Sequence, residues 1–203
     1  MRTIAIIQAR MGSKRYPGKV LADLGGKSVL QWVVDAAKAA KGVDEVWLAL
    51  PDTPKDLEIV HLCFDNDWNY ICGPEHDVLN RYVDAARASE ADIIVRLTGD
   101  CPLLRPDLID RVIELRKLTG ADYASNVPVW GDGLDCEVFT AKALERAADE
   151  AKLEFDREHV TPYMRCHFYC VDLPLDGAGT TEKLSIDTPE DLENVRRKIA
   201  SAA

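Results

Sequence analysis

The stretch Ile4-Ala-Ile-Ile-Gln8-Ala-Arg10-Met-Gly12-Ser13-Lys14-Arg15-Tyr-Pro17-Gly18-Lys19-Val20-Leu21 decides the fold. Its opening apolar run reads as a short strand buried on both faces. The run breaks after Gln8 into a loop, where Gly12, Ser13, Pro17 and Gly18 supply turn residues. That loop carries Arg10, Lys14, Arg15 and Lys19. In open α/β sheets ligands bind outside the carboxyl ends of the strands. Small residues let the backbone approach a ligand, and N–H groups in such turns form anion-binding concavities. Cations clustered at one strand end therefore point to a phosphorylated ligand. An ordinary basic surface loop is the plainer alternative.

Two common phosphate motifs are missing. A Walker A loop needs Gly, four residues, then Gly-Lys-Ser/Thr. Gly18-Lys19 is followed by Val20, and Ser13 stands at the upstream Gly position. Gly26-Lys27-Ser28 ends correctly, but Leu21 stands upstream. No G-x-G-x-x-G follows the first strand, which disfavours a dinucleotide oxidoreductase.

Outward from this loop, Ser28 suits the N-cap of an amphipathic helix from Val29, ended by Gly42. Strands are expected at 45–50, 68–72, 92–97 and 121–126, alternating with helices at 53–66, 77–89 and 106–118. The alternation predicts an α/β fold: a three-layer αβα, Rossmann-like arrangement around a mainly parallel sheet. Beyond Val127 the rhythm changes. A turn at 130–133, strands at 134–139, 166–173 and 184–186, helices at 141–152 and 155–165, a loop at 176–179 and a helix from Thr188 to the end are expected. Residues 1–203 read as a single domain. Within it, 127–180 reads as a small inserted lid or dimerisation segment that carries the second substrate.

The chain has 203 residues, with 25 Lys+Arg against 35 Asp+Glu, a net charge of −10. One sizeable core is affordable at this length. The acidic balance argues against nucleic acid and against anionic membranes, whereas a basic loop on an acidic body suits a small polyanion. The first apolar run is too short for a signal-peptide core and nothing approaches a membrane span, so a cytoplasmic protein is expected. Six cysteines with no C-x-x-C read as reduced thiols. Cys166-His167 with Cys170 is a poor zinc spacing and reads better as strand alternation.

Two acidic strand ends complete the pattern. Asp100 follows the strand ending at Leu97 and Gly99, and Asp187 follows 184–186. Mg²⁺ on a nucleotide is held by one or two carboxylates plus phosphate oxygens and water. Either aspartate alone is equally a turn residue; together they favour a metal pair. Thr188-Pro189-Glu190-Asp191 reads as a helix start capped by Thr188.

Q-A-R-M-G-S-K-R-Y-P-G-K-V-L closely resembles the N-terminal signature of nucleotidyltransferases that activate sugars with CTP. The resemblance is greatest to the spore coat polysaccharide biosynthesis protein F group and weaker to CMP-Kdo and CMP-sialic acid synthetases. It implies the nucleotide-diphospho-sugar transferase fold and CTP bound by Gln8, Ala9, Arg10, Gly12, Ser13, Arg15 and Lys19. Arg10, Arg15 and Lys19 would be catalytic. G-D-C-P-L and I-D-T-P-E-D-L are similar to the family's metal motifs, which assigns Mg²⁺ to Asp100 and Asp187. Gly73, Asp77 and Arg81 lie in a segment resembling one that borders the nucleotide with Asp100, although Asp77 is as well explained by a helix cap. Asp135 and Glu137, expected on one strand face, and Arg157, Glu158 and His159 resemble later signatures and would bind the acceptor. The implied reaction transfers CMP from CTP to a sugar or sugar acid for surface polysaccharide synthesis, releasing pyrophosphate. A homodimer is what the relatives imply. Segment 127–180 departs from the Kdo and sialic acid enzymes and leaves the acceptor open. A glycosyltransferase using Asp65-Asn66-Asp67, or a nucleotide-binding domain without turnover, are the rival readings.

Overall fold

A computed structural model describes residues 1–127, 129–176 and 180–202. Residues 177–179 of the expected 176–179 loop, and residue 203 of the last helix, lie outside the described residues. The apolar run forms β1 (Thr3–Gln8). Ile4 to Ile7 are fully buried, because side chains alternate between two covered faces. Ala5 and Ile7 enter one apolar layer, Ile4 and Ile6 the other.

The other strands are β2 (Glu45–Pro51), β3 (Asn69–Gly73), β4 (Ile93–Thr98), β5 (Tyr123–Ser125), β6 (Glu137–Thr140) and β7 (Cys170–Asp172). They form one sheet in the order β3-β2-β1-β4-β6-β5-β7. β1 pairs in parallel with β2 and β4, and β6 pairs antiparallel with both β4 and β5. Gln8 lies in register with Ala49 and Thr98, so the carboxyl ends of the first strands share one edge.

One face is covered by α1 (Val29–Ala39), α2 (Leu57–Asp65) and α4 (Pro106–Thr119). The other is covered by α3 (Val78–Ala88), α5 (Ala141–Glu150) and α7 (Pro162–His167), with α6 (Glu154–His159) packed between α3 and α7. A smaller cluster seats α8 (Pro189–Ala202) through Leu192 and Val195 on Leu24, Val29 and Ile186. The expected caps form: Gln31 N–H donates to Ser28 Oγ, and Asp191 N–H to Thr188 Oγ1. Among the described residues, no helix is long and apolar enough to cross a membrane.

Several expected elements differ. The helix at 155–165 is two helices, broken at Val160. The strand at 166–173 shrinks to β7, because Pro162 starts a helix that runs through His167. Residues 184–186 are no strand. Their N–H groups bond to single carbonyls, Leu184 and Ser185 to Asp132 and Ile186 to Asp100. Residues 134–136 lie outside β6, since Cys136 N–H is taken by Asn126 Oδ1 at 2.8 Å. Asp135 therefore does not share a strand face with Glu137. Among the described residues, no His, Cys, Asp and Glu group gathers around Cys166 and Cys170 to hold a metal.

The C-terminal segment is clasped by the turn at Gly131–Gly133. Gly131 N–H donates to Thr180 O at 2.7 Å, and Asp132 O accepts Leu184 N–H at 2.6 Å and Ser185 N–H at 3.1 Å. A Cβ on Gly133 would lie 2.2 Å from Ser185 N, and its φ of +104° strains any other residue. Gly133→Ala is expected to lower unfolding free energy in urea by clearly more than the left-handed penalty alone, because its Cβ would meet backbone atoms that cannot move aside. Gly25→Ala, at φ +69° with open space around it, should cost only the left-handed penalty of about 1–2 kcal/mol. Equal losses would remove the steric part of the clasp.

Candidate active site

The basic loop closes on itself directly after β1. Met11 O accepts Ser13 N–H at 2.9 Å and Gly18 N–H at 3.0 Å, and Ser13 Oγ accepts Tyr16 N–H at 3.3 Å. Met11 N–H donates to Asp56 Oδ1 at 2.7 Å, which ties the loop to the fully buried carboxylate just before α2. Val20 packs into the core beside Lys19, so Lys19 is buried despite its charge.

Asp100 reaches the same place from β4. Gly99 N–H donates to Gln8 O at 2.9 Å, and a Cβ there would lie 3.0 Å from the Cβ of Ala9. A glycine lets the β4 turn pass close to β1 without displacing Ala9, Leu30 or the Gln8 carbonyl. Asp187 arrives from the C-terminal end of the chain. It sits at the start of α8, where Asp191 Oδ2 accepts both Asp187 N–H and Thr188 N–H at 2.9 Å.

These segments meet at one ammonium. Lys19 Nζ donates to Asp100 Oδ2 at 2.5 Å and to Asp187 Oδ1 at 2.9 Å. Arg15 also reaches Asp187 Oδ1 at 2.9 Å, and Lys183 reaches its Oδ2 at 3.1 Å. Burial pulls the Lys19 ammonium pKa down, but Asp100 and Asp187 outweigh it and hold the pKa above its ordinary value. Burial pushes the Asp187 carboxyl up, yet Lys19 and Lys183 hold it below the usual range.

The cluster lies in a cleft of about 690 Å³. Six cations (Arg10, Lys14, Arg15, Lys19, Lys55 and Arg81) face four carboxylates (Glu75, Asp100, Glu158 and Asp187) along its walls. A locally positive cleft in a chain of net charge −10 selects polyanions.

Of the residues expected at a nucleotide, Gln8, Ala9, Arg10, Gly12, Ser13, Arg15, Lys19, Arg81 and Asp100 line this cleft. Gly73 and Asp77 do not. Asp77 caps α3, accepting Asn80 N–H at 3.1 Å, and binds Arg157 Nη2 at 2.7 Å. Arg157 is spent there and on the Ala148 and Ala151 carbonyls, away from the cleft. Glu137 is buried too: it accepts from Tyr123 Oη at 2.5 Å, from Thr161 Oγ1 at 2.7 Å and from Arg96. Glu158 and His159 do line the cleft. Asp135 lies outside the lining, beside Asp132 and Glu137.

Sequence reading missed Lys55, His76, Thr98 and Lys183. Lys183 had a usable signal, since it stands four residues before Asp187. Lys55 carried none, because its place depends on the ion pair with Glu75 at 2.8 Å across the rim.

The two aspartates suit a divalent cation. Both converge on one cation-sized position, which the Lys19 ammonium marks. Among the described residues no third His, Cys, Asp or Glu joins them. Phosphate oxygens and water would complete the shell, as Mg²⁺ prefers.

Burial first, then the carboxylates of Asp132 and Glu137, push Asp135 from 3.8 up to about 6. The folded state thus holds this proton more tightly than the unfolded chain does. The cost is absent below the ordinary pKa, grows between it and about 6, and persists above. Asp135→Asn should raise stability at pH 7.5 by about 1–2 kcal/mol, allowing about 1.4 kcal/mol per unit and discounting for partial exposure. At pH 3.5 it should raise nothing. Denaturant melts at both pH values check this, and a gain at both would contradict the burial cause.

A family model described as Cytidylyltransferase matches residues 4–198. Spore coat polysaccharide biosynthesis protein SpsF of Bacillus subtilis is 35% identical over 203 residues, covering 94% of this chain and 83% of its own. A 3-deoxy-manno-octulosonate cytidylyltransferase of Anaeromyxobacter sp. (strain K) is 32% identical, with both chains covered fully (100%). The solved structure of a cytidylyltransferase from Leptospira borgpetersenii superposes with a TM-score of 0.93 at 31% identity, covering 99% of this chain and 87% of that one. The cationic loop, the paired aspartates and this match along nearly the whole chain agree: it is a nucleotidyltransferase and belongs to the cytidylyltransferase family.

Proposed function

We propose that this chain transfers CMP from CTP to a sugar or sugar acid with Mg²⁺, releasing pyrophosphate, for surface polysaccharide synthesis. The observation that carries this reading is the convergence of Lys19, Asp100 and Asp187, separated by 81 and 168 residues, inside a positive cleft. The names of two relatives support the acceptor class. One is named for spore coat polysaccharide biosynthesis, the other for 3-deoxy-manno-octulosonate.

The triphosphate lies along Arg10, Ser13, Arg15 and Lys19. An acceptor hydroxyl attacks the α-phosphorus in line. The new P–O bond forms as the α–β bridging P–O bond breaks, pyrophosphate leaves with the electron pair, and the hydroxyl proton passes to water. Charge grows on the departing oxygen and on the phosphoryl oxygens, where Lys19 and Arg15 stabilise it. Asp100 and Asp187 would hold Mg²⁺, which neutralises phosphate charge when bound. Before nucleotide arrives, Lys19, Arg15 and Lys183 neutralise Asp187. The triphosphate offers Lys19 and Arg15 better partners and releases the carboxylates for the metal.

The glycosyltransferase reading has less support. Asp65 ends α2 and Asp67 precedes β3, so Asp65-Asn66-Asp67 sits at the edge where the strands begin, opposite the cleft.

Thermal stabilisation by CTP, UTP, GTP and ATP, each with and without Mg²⁺, tests the donor. A ligand of the folded state adds about 2.7 kcal/mol at a hundred times its Kd. CTP with Mg²⁺ is expected to give the largest shift; a larger one with another triphosphate would change the donor. Pyrophosphate release with 3-deoxy-manno-octulosonate and related sugar acids then tests the acceptor. Asp100→Asn should lower that release by about a hundredfold or more, the usual scale for a lost charge-stabilising group. An unchanged rate would remove Asp100 from the metal.

A further inference from the structure

The turn that ends α6 is strained. Val160 has φ 69° and ψ −53°, and Thr161 N–H donates to His159 O at 2.8 Å. This is a γ-turn of the rare, strained hand. A helix that must end in a positive-φ residue ordinarily uses glycine. Here the position holds a β-branched residue, the type least suited to it.

Three contacts hold the turn. The Val160 side chain is fully buried in the apolar layer that also contains Val78, Leu79 and Tyr82. Val160 N–H donates to Asp156 O at 2.9 Å. Thr161, 5% exposed, donates its hydroxyl to Glu137 Oε1 at 2.7 Å. Glu137 is fixed in turn by Tyr123 Oη and by Arg96 on β4. Backbone strain persists where surrounding structure over-determines it, and it concentrates at sites that clamp ligands. The two residues before Val160, Glu158 and His159, line the cleft. Glu158 lies 3.7 Å from Arg10 on the nucleotide loop.

We propose that Glu137 and Thr161 are positioning residues, which hold the Val160 turn so that Glu158 and His159 form the acceptor wall of the cleft. This rests on the reading of the cleft as the site for nucleotide and acceptor. Glu137 belongs to the site without touching substrate: its carboxylate sets the backbone that carries the wall. The buried Arg96–Glu137 pair then has a use beyond stability: it ties β4, which delivers Asp100, to β6, and the Thr161 hydroxyl carries that tie on to the turn behind His159.

Thr161→Val tests this, because it removes the hydroxyl but keeps the shape. Glu137 keeps Tyr123 and Arg96, so no buried charge is stranded. Thr161→Ser restores the hydroxyl. Three quantities are read on each variant: CTP affinity with Mg²⁺ by calorimetry, the ring-proton NMR signal of His159, and pyrophosphate release with 3-deoxy-manno-octulosonate. In Thr161→Val, CTP affinity is expected to stay within about twofold, the His159 signal to shift and broaden, and kcat to fall about tenfold or more. Thr161→Ser should restore the signal and the rate. An unshifted His159 signal in Thr161→Val would overturn the proposal, even if the wild-type protein does not turn over this acceptor. A wild-type protein that does not bind CTP would instead defeat the reading of the cleft and leave the His159 signal to decide the positioning role.

Discussion

The structure depends on one buried ammonium held between two carboxylates. Lys19 Nζ lies 2.5 Å from Asp100 and 2.9 Å from Asp187. Isolated, any of these charges would be expensive to bury. Together they neutralise one another, and Arg15 and Lys183 add to the balance at Asp187. Each charge in the cluster has a partner, and under the proposed function each partner is exchanged: Lys19 and Arg15 pass to phosphates, and the aspartates to a metal. On that reading an ion cluster and a phosphoryl-transfer site are two states of the same residues.

Holding that cluster is the purpose of several otherwise unrelated features. Gly99 lets β4 pass against the end of β1 and carry Asp100 in. The turn at Gly131–Gly133 grips the backbone at 180–185 and so aims Asp187. Thr188 and Asp191 cap α8 and fix the residue just before it. On the opposite wall the Val160 turn, pinned through Thr161 to Glu137, supports Glu158 and His159. The first set fixes the charged centre; the second shapes the space beside it.

Much of this was legible in the sequence, for physical reasons. The first strands are short apolar runs bounded by turn residues, so β1, β2 and β4 stand out, and charges at their ends mark the cleft. Lys19 and Asp100 were readable because each follows a strand. The clasp at Gly131–Gly133 was not, since its contacts run from backbone to backbone and carry no side-chain signature. The break at Val160 was hidden because valine normally continues a helix or strand rather than ending one. Asp77 and Arg157 looked like ligand residues, but they pair with each other across 80 residues. Glu137 misled in a similar way, as a buried acid whose partners, Arg96, Tyr123 and Thr161, come from three other elements.

Mn²⁺ binding, followed by electron paramagnetic resonance, tests most directly whether Lys19 and the metal share Asp100 and Asp187. The wild-type protein should bind Mn²⁺ weakly alone and tightly once CTP is added. Lys19→Gln, which removes the competing cation, should bind Mn²⁺ more tightly than wild type without nucleotide while losing CTP affinity. Tight nucleotide-free binding to the wild type, unchanged in Lys19→Gln, would contradict the shared site.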